Sequence, residues 1–256
     1  MGKYRMHRFY VKSLSELNKS VIISGEDVNH IKNVLRLGIG DSITVSDGSS
    51  RDYECVISAI DEEVTADIVD IHDCNAELPV KIRLFQGMPK ADKLEFVIQK
   101  AVELGAVEII PVMMERTVVK IEEKKKDKKI ERYRKIAEAA AKQSRRGVIP
   151  EIGDFISYKN AMESLYKDGD DSDIKRMVLV PYENAEGMDY TRRLLNTASE
   201  YDEIDIFIGP EGGFSDNEIG LARDKGAFII SLGNRILRTE TAGMTILSIL
   251  GFILDK

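Results

Sequence analysis

The sequence predicts an α/β protein, with a parallel sheet covered by helices on both faces in the C-terminal part of the chain and a small, mostly β unit ahead of it. Three observations carry this. From Val80 onward short apolar runs alternate with segments of helical periodicity, the pattern left by strand–helix–strand units. Before that, residues 42–46, 52–58 and 64–71 alternate apolar and polar side chains, as half-buried strands do. Between the two, Asn75, Glu77 and Pro79 interrupt both periodicities, which divides the chain into residues 1–73 and 74–256.

In the first unit Asp47-Gly48 supplies a turn between two of the strands. Val28, Ile31, Val34 and Leu35 fall at helical spacing and predict one short helix over 26–35. In the second unit residues 82–86 form a strand. Leu94, Val97, Ile98, Ala101 and Val102 then mark one face of a helix, and Gly105 is placed to end it. Residues 107–112 are apolar on both faces, as a buried parallel strand requires. A long helix of mixed charge covers 124–146 and is stopped by Gly147 and Pro150. Further strands follow at 177–181, 204–209 and 228–232, and a final helix at 240–254. The helix between the last two strands opens on Ser215-Asp216-Asn217-Glu218, in which Ser215 and Glu218 can satisfy each other's backbone donors.

Of the 256 residues 43% are hydrophobic, enough for a substantial core. The formal net charge of −7 argues weakly against a nucleic-acid partner, but the charge is unevenly spread. Lys3, Arg5, Arg8 and Lys12 crowd the amino end, further cations run through 124–146, and acids gather at Asp168, Asp170, Asp171 and Asp173 in a solvated loop. Bulk charge therefore leaves RNA binding open. Cys55 and Cys74 form no Cys-x-x-Cys pair and the three histidines do not cluster with them, so neither a disulfide framework nor a metal site is predicted. Cys55 reads as a small buried core residue. The amino end is polar, and the longest apolar stretch, 244–254, is too short for a bilayer and is broken by Ser248 and Gly251. A cytoplasmic protein without a membrane span is the expectation.

Three loops at the carboxyl ends of strands stand out, because ligands bind at that edge of an open α/β sheet. The first is Pro181-Tyr182-Glu183. The second, Gly209-Pro210-Glu211-Gly212-Gly213-Phe214, has glycines on both sides of Pro210-Glu211. It reads either as an ordinary tight turn before a helix or as a loop that lets a ligand approach the backbone. It has neither the Lys-Ser/Thr of a P-loop nor a G-x-G-x-x-G, so phosphate binding is not favoured. The third runs from Leu232-Gly233 through Arg235-Ile236-Leu237-Arg238 to Thr239-Glu240-Thr241-Ala242. Thr239 is a natural N-cap and Glu240 suits the helix dipole. Arg235 and Arg238 read either as surface charge or as contacts to RNA phosphate and a base carbonyl.

The run G-P-E-G-G-F with a following S-x-x-E, then L-G-x-R-I-L-R-x-E-T-A, resembles the SPOUT methyltransferases. Within that class the chain is similar to the RsmE family of 16S ribosomal RNA (uracil-N3)-methyltransferases. The resemblance extends through Lys100-Ala101-Val102-Glu103-Leu104-Gly105, Ile110-Pro111 and Gln143-Ser144-Arg145-Arg146. At the amino end it includes Met6-His7-Arg8-Phe9-Tyr10, His30 and Val34-Leu35-Arg36.

The resemblance implies a deep trefoil knot in the C-terminal domain and a PUA-like or OB-like β-barrel ahead of it. It implies S-adenosylmethionine as cofactor, held by Pro181, Glu183, Gly209, Pro210, Glu211, Gly212, Leu232, Gly233, Ile236, Leu237, Thr241 and Ala242. RNA contact falls to Arg8, His30, Arg36, Gln143, Ser144, Arg145, Arg146 and Arg235, with 16S rRNA or the 30S subunit as partner. His30 equally suits a polar position on a helix face. A homodimer through the knot is also implied; Met244, Leu247, Leu250 and Ile253 could supply that interface or pack on their own sheet. Methylating uracil N3 requires loss of the imide proton and attack on the sulfonium methyl. Arg238 is the candidate for stabilising the uracilate. Glu211 and Glu240 are chemically suited to proton transfer and equally able to brace loop backbone.

Overall fold

The computed structural model describes residues 7–11, 14, 19–48, 51–119, 121–166, 174–185 and 187–255. Lys3, Arg5, Met6 and Lys12, and the acidic residues Asp168, Asp170, Asp171 and Asp173, lie outside the described residues. The chain forms two compact units. One comprises Met1–Glu77 with Ala141–Ile149, the other Leu78–Ala140 with Pro150–Lys256.

In the first unit β1 (His7–Tyr10), β2 (Ser20–Ile23), β3 (Ser42–Ser46), β4 (Arg51–Ile60) and β5 (Val64–Asp73) form one sheet in the order β1-β3-β4-β5-β2. β1 runs parallel to β3 and the other pairs are antiparallel. Its core is made by the inward set of the alternation, including Phe9, Ile43, Val45, Tyr53, Cys55, Ile57 and Val64. Burial pushes the Cys55 thiol up to about 12, so it stays protonated and behaves as a small hydrophobe. Two register shifts between β4 and β5, at Glu54/Cys55 and Ile57/Ala59, bend the longest strand pair. The predicted helix over 26–35 is present but changes type. One α-helical turn, α1 (Glu26–Asn29), passes into a π-helix over His30–Leu35 that ends at Arg36 in the left-handed region, φ 55°. Only Val28 and Ile31 of this segment are buried, so a single narrow stripe holds it and the wider turn is tolerated.

The second unit contains β6 (Lys81–Gly87), α2 (Lys93–Glu103), β7 (Glu108–Met113), α3 (Glu123–Ser144), β8 (Glu151–Ile152), β9 (Ile156–Ser157), α4 (Tyr158–Ser164), β10 (Arg176–Pro181), α5 (Met188–Leu195), β11 (Glu203–Ile208), α6 (Asp216–Asp224), β12 (Phe228–Ile230) and α7 (Thr239–Leu254). The residues of α3 from Ala141 onward group with the first unit. The strands form a parallel sheet in the order β12-β10-β11-β6-β7-β8, with β9 also on β7. The predicted parallel α/β architecture is therefore observed. β8, β9, α4 and α5 were not expected, being short and, for the strands, only two residues each.

On one sheet face α4 and α6 cover a cluster in which the rings of Phe85 and Phe207 stack at 4.4 Å and Tyr158 stands edge-on to Phe207. On the other, α7 packs on α2, β6 and β11 through Gly243, Ile246, Leu247 and Leu250. Leu247 and Leu250 are thus spent on the protein's own core rather than left for a partner, each contributing about 1.5–3 kcal/mol by burial. At the amino edge of the sheet Arg83 forks onto the fully buried Asp205 at 2.6 and 2.9 Å, and Arg176 bonds Glu203 at 2.8 Å. Because the strands are parallel, all their carboxyl ends meet at the opposite edge. The loops identified in the sequence converge there.

Candidate active site

The loop after β11 is built by its glycines. Gly213 takes φ +67° and its N–H donates to the carbonyl of Pro210 at 2.9 Å, closing a turn over Glu211 and Gly212. A side chain on Gly209 would press on Gly213, and one on Gly212 would meet Arg116 at 2.9 Å. The turn is then locked into α6 by the predicted capping box: the Glu218 amide donates to Ser215 Oγ and the Ser215 amide to Glu218 Oε2. The other Glu218 oxygen accepts from the Glu115 amide at 2.9 Å, and Arg116 donates to the Gly212 carbonyl at 3.1 Å.

The loop after β12 is fixed at both ends. Thr191 Oγ1 donates to the Ser231 carbonyl and accepts from the Ser231 amide, and Gly233, at φ +109°, donates to Ser231 Oγ. At the far end the expectation for Thr239 is corrected. Arg238 is the N-cap residue, and Thr239 is the first residue of α7. Its hydroxyl instead donates to the Gly209 carbonyl at 2.6 Å and accepts from Gln86 Nε2 at 2.8 Å. The loop after β10 lies against this one, with the Tyr182 amide donating to the Ile230 carbonyl.

Together the loops enclose a cleft of about 500 Å³. Of the predicted cofactor residues Pro181, Glu183, Gly209, Pro210, Glu211, Gly212, Ile236, Leu237 and Ala242 line it, and so does Arg238. A smaller adjoining hollow is lined by Leu232, Gly233 and Arg235. Thr241 and Glu240 line neither; Thr241 is exposed on α7 and its carbonyl accepts from Thr245. Glu240 reaches Lys93 Nζ at 3.7 Å with one oxygen, while its other oxygen is buried without a hydrogen-bond partner among the described residues. Glu211 accepts from the Lys90 amide at 3.0 Å and from Lys93 Nζ at 3.2 Å. Partial burial works to raise its pKa, but the Lys90 and Glu211 amides and the Lys93 ammonium outweigh that and hold it below the ordinary carboxylate range. Lys93, Arg116 and Gln86 escaped the sequence reading. Only the placement of Lys93 just beyond an apolar strand could have signalled its part.

The residues expected to meet RNA in the first unit divide into two groups. Arg8 is half-buried and Arg146 buried, and the guanidinium groups of both are engaged by partners within the fold, where the sequence suggested RNA contacts. Arg8 pairs with Asp52 and donates to the carbonyls of Arg145 and Arg146 at 2.7 and 2.9 Å. Arg146 forks onto Glu77, which also accepts from the amides of Gly147 and Val148. Ser144 is half-buried and bonds back to the Ala141 carbonyl. His30, Arg36, Gln143 and Arg145 are exposed. Arg36 and Arg145 both have positive φ, 55° and 60°, so each follows a helical segment in a left-handed cap with its side chain toward solvent.

Among the described residues no helix is long and apolar enough to cross a membrane. The RNA methyltransferase domain family matches residues 76–251, and the RNA methyltransferase PUA domain family matches residues 23–69. The chain is 32% identical over 253 residues to the ribosomal RNA small subunit methyltransferase E of Bacillus subtilis, covering 96% of each chain. Among solved structures it is similar to the ribosomal RNA small subunit methyltransferase E of Neisseria gonorrhoeae bound to S-adenosylmethionine, with TM-score 0.80 and 28% identity over 97% of this chain and 98% of that one. It is also similar to a Legionella pneumophila methyltransferase in complex with S-adenosylmethionine, with TM-score 0.76 and 30% identity over 96% and 97% of the two chains.

Proposed function

The chain belongs to the ribosomal RNA small subunit methyltransferase E family of RNA methyltransferases, and from that premise we propose that it transfers a methyl group from S-adenosylmethionine to N3 of a uridine in the 16S rRNA of the small ribosomal subunit. The observation that carries the reading is the convergence of the loops after β10, β11 and β12 on one cleft.

The residues present fit the cofactor. The cleft has the volume of a small-molecule site, about 300–1,000 Å³. Its wall joins apolar side chains suited to an adenine ring, from Pro181, Ile236, Leu237 and Ala242, to a stretch of glycine backbone that a polar chain can approach closely. Glu183 adds a carboxylate, which suits a cationic ligand. When bound, S-adenosylmethionine supplies an electrophilic methyl group carried on a sulfonium.

The chain's own residues have the remaining work. They hold the base in line and stabilise the negative charge that appears as the imide proton leaves N3. Arg238 is exposed at the lip of the cleft and takes the role of donor to a uracil carbonyl. Glu211, with its Oε1 already bonded to Lys90 and Lys93 and its pKa depressed, braces the loop and is a poor proton acceptor at neutral pH.

Partners and place belong to the same reading. His30, Arg36, Gln143 and Arg145 form the exposed RNA contacts of the first unit, and Arg235 those beside the cleft. Residues 1–73 act as the RNA-binding domain and 74–256 as the catalytic, knotted one. A homodimer uses the outer face of α7 and the loop before it, where Ile236 and Phe252 are 90% and 89% exposed. The reaction takes place in the cytoplasm on the 30S subunit or its RNA.

The test is transfer from methyl-tritiated S-adenosylmethionine to small-subunit RNA, followed by separation of the nucleosides. Label in 3-methyluridine supports the proposal. Label in a ribose-methylated nucleoside, or in none, overturns it.

A further inference from the structure

A fourth loop reaches the same cleft. β6 ends at Gly87, where a Cβ would lie 2.6 Å from the Pro210 nitrogen and 2.8 Å from the Ile208 carbonyl oxygen, so the backbone of β6 runs directly against the loop after β11. The chain then turns through Ala91, held at φ 54°, a conformation that non-glycine residues seldom adopt. This turn sets the Lys90 amide on Glu211 and makes Lys93 the first residue of α2. Lys93 lines the cleft together with Arg238. Its ammonium is held on two sides, by Glu211 Oε1 at 3.2 Å and Glu240 Oε1 at 3.7 Å. The side chain is nevertheless 38% exposed, and an ammonium has three donors. A flexible lysine is thereby fixed in place with donor capacity left for a ligand.

Uracil N3 lies between two carbonyl groups, so the charge released when its proton leaves spreads over both oxygens. One cation can serve only one of them well. We propose that Lys93 is the second uracilate-stabilising cation of the site, paired in function with Arg238, and that Glu211 and Glu240 act through it as positioning residues. The inference rests on the uridine-N3 reading above. In the step concerned, the N3 proton passes to solvent water and its bonding pair stays on the ring as the uracilate. That nitrogen pair then forms the bond to the methyl carbon as the carbon–sulfur bond breaks and its electrons return to sulfur. Lys93 is neither consumed nor deprotonated. It lowers the pH at which the imide ionises in the site.

The experiment compares the wild type with Lys93→Met, which keeps the stem and removes the charge, and with Lys93→Arg. Cofactor affinity is read by calorimetry, and transfer as single-turnover rate against pH. Lys93→Met is expected to bind S-adenosylmethionine within about twofold of wild type but to transfer about 10²-fold more slowly at neutral pH, the loss typical of one missing oxyanion donor. Its rising pH limb should move upward by about one to two units, since tenfold in charge stabilisation is one pH unit. RNA in which the target uridine carries a 5-fluoro group, with a more acidic imide, should recover much of the rate, and Lys93→Arg should retain more activity than Lys93→Met. A merely structural lysine would give a lower rate with an unmoved pH limb and no gain from the fluorinated base, and that result overturns the inference alone. A wild type that leaves uridine N3 unmethylated overturns the underlying reading and this inference with it.

Discussion

Thr239 Oγ1 donates to the carbonyl oxygen of Gly209 at 2.6 Å, and this bond ties the start of α7 to the loop that leaves β11. Because the same hydroxyl accepts from the buried Gln86, three chain segments far apart in sequence meet at one group. Thr239→Val keeps the shape and removes both bonds; the Gly209 carbonyl loses this donor, and the Gln86 amide keeps its bond to the Gly87 carbonyl at 3.0 Å. The expected cost is about 1–3 kcal/mol in urea unfolding, with a weaker affinity for S-adenosylmethionine by calorimetry. Thr239→Ser should restore most of both. Normal affinity in the valine variant would show that the bond does not shape the cleft.

Two substitutions should separate binding from chemistry. Gly233 sits at φ +109° with open space where its Cβ would be, so Gly233→Val strains the backbone without a clash. The loop relaxes by changing conformation, and cofactor binding is lost while the unfolding transition stays cooperative. Arg238→Ala should instead leave cofactor affinity near wild type and lower the transfer rate about 10²-fold. Equal losses of binding and rate would remove Arg238 from the chemistry.

The arginines of the first unit should also split. Arg8 and Asp52 are 13% and 5% exposed, and Arg8→Ala leaves a buried carboxylate without its counter-charge, at a cost of about 3–5 kcal/mol. Arg36→Ala and Arg145→Ala should leave the melting temperature unchanged, weaken RNA binding, and lower the salt slope by about one each. Stable, full-affinity variants at Arg36 and Arg145 would place the RNA elsewhere.

Acid stability should depend on Glu203. Burial works against its charge, but the Arg176 hydrogen bond and the charges of Arg83, Arg176 and Lys81 prevail and set its folded pKa below the ordinary 4.5. A depressed carboxylate contributes stability above its unfolded pKa and loses it as pH falls through the lower folded value. The urea midpoint should therefore fall on acidification below about pH 4.5, and Glu203→Gln should flatten that part of the curve. An unchanged acid slope in the variant would assign the lability to other groups.

The sequence made the repeated strand–helix pattern and the loop positions legible because parallel strands bury both faces and leave unbroken apolar runs such as 107–112. The capping box at Ser215 was legible because it is purely local. What escaped depends on distant partners. Thr239 has the composition of an N-cap, yet its hydroxyl answers to Gly209 and Gln86, which sequence spacing cannot relate to it. Arg8 and Arg146 look like a basic RNA patch until Asp52 and Glu77 fold onto them. Lys93 looks like surface charge, and only the packing of Gly87 on Pro210 brings it to the cleft. β8 and β9 are too short for a period to register.

The most direct test is to map methylated nucleosides in 16S rRNA from cells with and without this protein. The account predicts a single 3-methyluridine that disappears when the protein is removed, returns with the wild-type chain, and does not return with Gly233→Val. An unchanged 3-methyluridine content, or loss of a ribose-methylated nucleoside in its place, would contradict it.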